Sequence, residues 1–259
     1  MRLCKLFILC ATFLSLNYCS PANMEGTDVG NPAAEGFNLE ASDAEAIAVA
    51  DEVMEALGGR KAWDETRYIT WTFFGRRTLW WDKKTGDVRI EVPADSAVYL
   101  VNIHDKTGKV LLNGTDISST DSLDQYLERA ESIWINDAYW LVMPYKLKDS
   151  GVTLKYVGQD TMQGGAPADV LQLTFEEVGR TPDNKYLVYV DEEDRLVKQW
   201  QFFGNYEDPE PRFTTPWLNY EQHGAILLSG DRGNNKLTDI AVSESMPEET
   251  FTSLEPIKW

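Results

Sequence analysis

A succession of short β-branched and aromatic runs, separated by turn residues, limits this chain to few architectures. Arg67–Phe74 (RYITWTFF) is the first run, and Arg77–Trp81 and Val88–Val92 follow on either side of Asp82-Lys83-Lys84-Thr85-Gly86-Asp87. Ala97–Ile103 and Lys109–Leu112 flank Asp105-Lys106-Thr107-Gly108. Later in the chain come Val152–Val157, Ala168–Phe175, Lys185–Val190 and Leu196–Phe203, with Asp191-Glu192-Glu193-Asp194 as a turn between the last two. Phe213–Tyr220, Ala225–Ser229 and Lys236–Val242 are weaker candidates. Connections this short cannot carry parallel crossovers, so the strands pair antiparallel. The expectation is a mainly β (α+β) chain of about ten or eleven strands with two or three helices.

Two helices are signalled. Ser42 followed by Glu45 has the spacing of a capping box, and Ala46, Ile47, Ala50, Val53, Met54 and Leu57 then recur at helical spacing before Gly58-Gly59 ends the run. After Ser119-Thr120-Asp121, the residues Leu123, Tyr126, Leu127, Ala130, Ile133 and Trp134 share one helical face, and Pro144 limits any continuation.

Aromatic residues make up 12% of the chain, and several strands are apolar on both parities. In Arg67–Phe74, Ile69, Trp71 and Phe73 oppose Tyr68 and Phe74; in Leu196–Phe203, Leu196, Trp200 and Phe202 oppose Val197 and Phe203. Ala168–Phe175 alternates more cleanly, with Leu171, Leu173 and Phe175 on one face. A solvated antiparallel sheet is apolar on one face only, so two-faced strands need cover on both. A sheet curled around a helix meets that need. Its concave side is then either a cavity for an apolar ligand or a filled aromatic core. On the first reading Trp71, Phe73, Trp80, Trp140, Trp200 and Phe202 are the candidate ligand contacts.

The three cysteines, Cys4, Cys10 and Cys19, all precede residue 20. The body therefore has no disulfide framework, thiolate nucleophile or Cys-ligated metal. Arg2 and Lys5 precede the apolar stretch Leu6–Leu16, which is too short for a transmembrane helix and has the layout of a secretory signal. Leu16-Asn17-Tyr18-Cys19 resembles the lipobox of bacterial lipoproteins, in which the cysteine becomes the acylated first residue; Tyr18 stands where a small residue is usual. The alternative is ordinary cleavage after Ser20-Pro21-Ala22. On the lipoprotein reading residues 1–18 are the signal, 19–41 a lipidated disordered tether rich in small and polar residues, and 42–259 a single domain. The membrane is then a partner through Cys19, because stable anchoring takes two or more acyl chains.

The formal charge is −18, and losing Arg2 and Lys5 makes it 22 − 42 = −20. An acidic body gains nothing from counterion release, so nucleic acid is not an expected partner. Only His104 and His223 are present, each in a turn-like context with no orienting neighbour. The acidic turn at Asp191–Asp194 lacks EF-hand spacing. No nucleophile-elbow, zinc-protease, phosphate-loop or dinucleotide motif occurs. No cofactor and no catalytic residue is expected, although a hydrolase using paired carboxylates and a structural lipoprotein with a protein partner remain as rivals.

Residues Asn136–Val157 (NDAYWLVMPYKLKDSGVTLKYV) resemble a segment of Bacteroidota-type envelope lipoproteins related to the LolA/LolB superfamily of lipoprotein carriers and receptors. The order of Leu57-Gly58-Gly59 with Trp63, Thr181–Tyr189 and Lys198-Gln199-Trp200 agrees with it. The resemblance spans most of Ala41–Gly230 and is one of pattern, with no diagnostic motif and no ligand contact that transfers residue by residue. It implies an unclosed antiparallel β-barrel of about eleven strands, helices over the concave face, and a cavity for acyl chains. It also implies an envelope location, with Cys19 favouring an outer-membrane lipoprotein facing the periplasm and no catalysis.

Overall fold

The hairpin turn at Asp82–Asp87 sets the register of the first sheet. Asp82 accepts the backbone N–H of Lys84 at 2.9 Å, and Asp82 pairs with Asp87 as the last rung between two strands. The computed structural model describes residues 30–176 and 183–257. Strands β1 (Tyr68–Phe73), β2 (Arg77–Asp82), β3 (Asp87–Val92), β4 (Ala97–Asn102), β5 (Gly108–Leu112) and β6 (Thr115–Asp116) form an antiparallel meander. β12 (Leu218–His223), β13 (Ile226–Arg232) and β14 (Asn235–Ser243) extend it, giving the order β12-β13-β14-β1-β2-β3-β4-β5-β6. A second antiparallel sheet holds β7 (Val152–Thr161), β8 (Pro167–Phe175), β9 (Lys185–Asp191), β10 (Val197–Phe203) and β11 (Phe213–Pro216), in the order β11-β10-β9-β8-β7.

Fourteen strands among the described residues exceed the ten or eleven expected. Phe213–Tyr220 divides into β11 and β12 at Trp217, and the two-residue β6 carries no sequence signal. Trp217 is a corner. Its ring is fully buried, meets Trp200 edge-on at 5.5 Å, and carries the Arg232 guanidinium 3.4 Å from its centre. The chain thus passes from one sheet to the other at this residue. The opposite edges, β6 and β7, are connected in the chain through α3 (Thr120–Val142), which lies across the concave side between them. The result is the unclosed antiparallel barrel with a helix in its mouth.

α3 ends at Val142 and tightens into a 3-10 turn at Met143–Lys146, as Pro144 requires. α1 (Ala44–Ala56) buries Ala46, Val49, Ala50, Val53 and Met54, the stripe expected from its spacing. Its capping box does not form. Ser42 Oγ donates to the Asn38 carbonyl and accepts from Leu154 N–H, while the Asp43 carboxylate accepts Tyr156 N–H at 3.0 Å, so both side chains tie the helix start to β7. Gly58 does end α1, with φ +113°, and the chain re-enters a helix unforeseen from sequence, α2 (Gly59–Glu65). A Cβ at Gly58 would lie 2.4 Å from the Ala225 carbonyl, so the turn before β13 closes on it.

Residues 31–38 are tied to the body by hydrogen bonds. Ala34 N–H donates to the Lys148 carbonyl, Asn38 N–H to the Val152 carbonyl, and Asn31 to the Asp51 carboxylate, while Phe37 joins the core. The described part of the expected tether is therefore bound to the body by backbone pairing that composition cannot signal.

The outer face of the first sheet is covered as well. Arg89, fully buried, donates to the Thr250, Ser253 and Glu255 carbonyls at 3.2, 2.6 and 2.6 Å and to Glu91 at 2.7 Å. These carbonyls lie at the end of α4 (Glu249–Thr252), where helix acceptors are left over. Tyr68 stacks on Phe251 at 6.2 Å. This C-terminal segment is why β1 and β2 are apolar on both faces.

Candidate functional site

Register decides which aromatics face inward. Ile69 pairs with Trp81 and Trp71 with Leu79, so Trp81 and Leu79 share the concave face with Ile69, Trp71 and Phe73. Trp80 pairs with Thr70 and Arg89 and points the other way, beneath the C-terminal segment, with the Arg89 guanidinium 5.8 Å from its ring. Trp80, a candidate ligand contact from sequence, therefore faces away from the concave side, because adjacent strand residues face opposite sides.

Between α3 and the two sheets lies an open-mouthed cavity of about 260 Å³. One face of α3 contributes Trp134, Ala138, Tyr139 and Val142, residues spaced by one or two helical turns. β2 supplies Trp81, β7 Val152, β8 Phe175 and β9 Tyr186. Its rim is polar, with the Lys146–Asp149 ion pair, Ser150 and Asn184. The lining is otherwise apolar and aromatic, the character of a site for a hydrophobic ligand.

The helix that forms this wall is docked by charge. Arg77 on β2 reaches across to Asp137 on α3 in a bidentate pair at 2.5 and 2.6 Å, and Asn136 adds a bond at 2.9 Å. The Asp137 side chain has no solvent exposure, and burial raises its pKa despite the opposing guanidinium. Asp137 lies between Trp134 and Ala138, so the pair fixes the rotation of the lining face. Further along, Arg232 donates to the Trp140 carbonyl at 2.7 Å.

Of the residues singled out from sequence, none lines this cavity. Trp71, Phe73 and Trp200 are core residues, and Trp140 and Phe202 are half-buried. Four of them are nevertheless joined in one aromatic cluster that backs the wall. Trp200 contacts the cavity residues Tyr139 and Tyr186 at 5.9 and 5.0 Å and meets Trp140 at 4.9 Å; Phe202 meets Tyr186 at 5.2 Å; Phe73 meets Trp140 at 6.5 Å. Burial pushes the Tyr186 hydroxyl up to about 12, against the side-chain hydrogen bond from Asn184, and holds Tyr139 well above the ordinary tyrosine range. The missed residues carried usable signals: Ala138 and Tyr139 continue the face begun at Ile133 and Trp134, and Phe175 closes the alternation of Leu171 and Leu173.

Neither His104 nor His223 touches the cavity. The Asp191–Asp194 run is a turn in which the Asp191 carboxylate accepts the N–H groups of Glu193 and Asp194. Cys19 lies outside the described residues.

No protein-family profile matches the chain, and no curated protein does. Among solved structures, a DUF1329 family protein from Desulfovibrio piger is similar at 13% identity and a TM-score of 0.47, over 81% of this chain and 99% of that one. A LolA superfamily protein from Nitrosomonas europaea is similar at 12% identity and a TM-score of 0.38, over 79% and 97%. The Pseudomonas aeruginosa MucA/MucB complex is similar at 16% identity and a TM-score of 0.25, over 80% and 60%.

Proposed function

We propose that this chain is a bacterial envelope lipoprotein, held at the membrane through acylated Cys19, whose half-barrel binds a lipid or other apolar ligand without catalysis. The observation that carries the binding reading is the aromatic cavity of about 260 Å³ between α3 and the two sheets. A purely structural role calls for a filled concave side, and a carboxylate hydrolase calls for two acids converging in the cleft. Here the cleft is mostly apolar, and the one acid among its described lining residues, Asp149, is paired with Lys146. With a body charge of −20 after signal removal, attraction to anionic lipid surfaces is absent, so the anchor alone supplies attachment. LolA-type transfer of lipoproteins or lipids is the role this arrangement fits.

The test is native mass spectrometry of the protein purified from a bacterial host, beside an Ala138→Trp variant that fills the cavity. A lipid-sized adduct on the wild type that is lost in the variant is the expected result. Absence of any adduct, together with no uptake of a fluorescent apolar probe, overturns the reading.

A further inference from the structure

The chain enters its folded body beside the cavity mouth. Ala34 N–H donates to the Lys148 carbonyl at 2.9 Å and Gly151 N–H to the Gly36 carbonyl at 2.8 Å, so residues 34–36 run alongside residues 148–151. Asn31 donates to Asp51 at 2.8 Å, and Arg60 on α2 donates to the Pro32 carbonyl at 3.4 Å. Asn31, Arg60 and Asp149 border one small gap, and Asp149 also stands on the cavity rim with Lys146 and Ser150. The N-terminal end of the described chain and the mouth of the cavity therefore share one face.

That face gathers cations in a chain whose formal charge is −18. Arg60 and Lys61 on α2, Lys83 and Lys84 in the β2–β3 turn and Lys146 on the rim are brought together around Trp63. The Lys83 ammonium donates to the Trp63 carbonyl and lies 3.5 Å from its ring centre, and Trp63 stacks at 4.4 Å on Tyr145, the neighbour of Lys146. Arg60, Lys61 and Lys146 pair with Asp64, Glu65 and Asp149, whereas Lys83 and Lys84 have no ion-pair partner among the described residues. Burial lowers the Lys83 pKa to about 7, opposed by Asp64 and reinforced by Arg60 and Lys146, so an anionic surface alongside restores its charge.

Length supplies an independent constraint. From Cys19 to Gly30 is 30 − 19 = 11 residue steps, about 40 Å at full extension. A body of about 230 residues is roughly 45 Å across. An acyl group on Cys19 cannot reach a bilayer on the far side of the body, so this face stays turned away from that side. The net charge of the whole body opposes recruitment from a distance. Once an anchor holds the body at the lipid, only groups within about 8–10 Å of the surface are felt.

Resting on the anchor proposed above, we infer that the face formed by α2, the β2–β3 turn and the Lys146 rim docks on the phosphates of an anionic phospholipid surface. The anchor attaches the protein, and this face orients it with the cavity mouth toward the bilayer. Acylated full-length protein is reconstituted into vesicles of phosphatidylcholine and phosphatidylglycerol that carry a lipid-borne acceptor dye. The body has no cysteine, so a single donor dye is placed at Thr85→Cys in the exposed turn, or at Arg76→Cys beyond the other end of β2, about 20 Å away. Energy transfer to the lipid is expected to be several-fold greater from position 85 than from position 76. Lys61→Glu with Lys84→Glu, both at exposed positions, is expected to remove most of that difference, as are vesicles of phosphatidylcholine alone. Equal transfer from the two positions, or greater transfer from position 76, overturns the orientation. A difference that survives both charge reversal and phosphatidylcholine overturns the contact with phosphates. Protein that fails to float with the vesicles overturns the anchor at Cys19, and the docking with it.

Discussion

Replacing Arg77 by Met tests how α3 is held in the mouth of the barrel. The substitution keeps an apolar stem and removes the guanidinium from a bidentate pair at 2.5 and 2.6 Å, leaving Asp137 with only the Asn136 amide at 2.9 Å. Removing one partner of a buried ion pair costs about 3–5 kcal/mol. The Arg77 side chain keeps 20% exposure, which screens part of the interaction, so the lower end applies, about 3 kcal/mol near pH 7. For a domain of this size that lowers Tm by roughly 6–12 °C. The loss is also pH-dependent in a definite direction. Burial raises the folded-state pKa of Asp137 above its unfolded value even beside Arg77, and losing the guanidinium raises it further. The folded variant then holds a proton more tightly than the unfolded chain, so its deficit shrinks as pH falls from neutrality toward the unfolded carboxylate value. Denaturant unfolding of wild type and variant near pH 7 and near pH 5 measures this, and the double variant Arg77→Met with Asp137→Leu should recover most of the stability. A deficit under about 1 kcal/mol, or one that does not narrow on acidification, refutes the reasoning. Because Asp137 sits between Trp134 and Ala138, the single variant should also weaken probe uptake by the cavity.

Three further outcomes are expected. Cys19→Ala should shift the protein from the membrane fraction to the soluble fraction of its bacterial host; unchanged fractionation refutes the anchor. Arg89→Met, which strips the donors from the Thr250, Ser253 and Glu255 carbonyls, should expose residues 249–257 to limited proteolysis and cost roughly 2 kcal/mol, whereas protection equal to wild type refutes the clamp. Burial lowers the Lys83 pKa to about 7, below its unfolded value, so the unfolded chain binds more protons between pH 7 and the ordinary lysine range, and stability should rise with pH across that window; Lys83→Met should abolish the rise.

Much of the architecture was legible locally because hairpin registers and helix stripes depend on neighbours in sequence. The turns at Asp82–Asp87 and Asp191–Asp194 and the stripe from Ala46 to Met54 appear where spacing puts them. The Ser42–Glu45 capping box failed because Ser42 and Asp43 have competing partners on β7, more than a hundred residues away. The aromatic content announced a concave aromatic interior, but only the register of β1 with β2 separates Trp81, in the cavity wall, from Trp80, beneath the C-terminal segment.

By itself, then, the sequence determined the antiparallel connectivity, the two main helices and the cysteine-free acidic body, all properties of short stretches or of composition. The tertiary structure decided which aromatics line the cavity and which pack in the core. A cavity is a boundary between elements that meet only after folding, here α3, β2, β8 and β9, and its lining follows from helix rotation and strand register. The Arg77–Asp137 pair fixes that rotation across 60 residues of sequence, a distance over which no local pattern carries information.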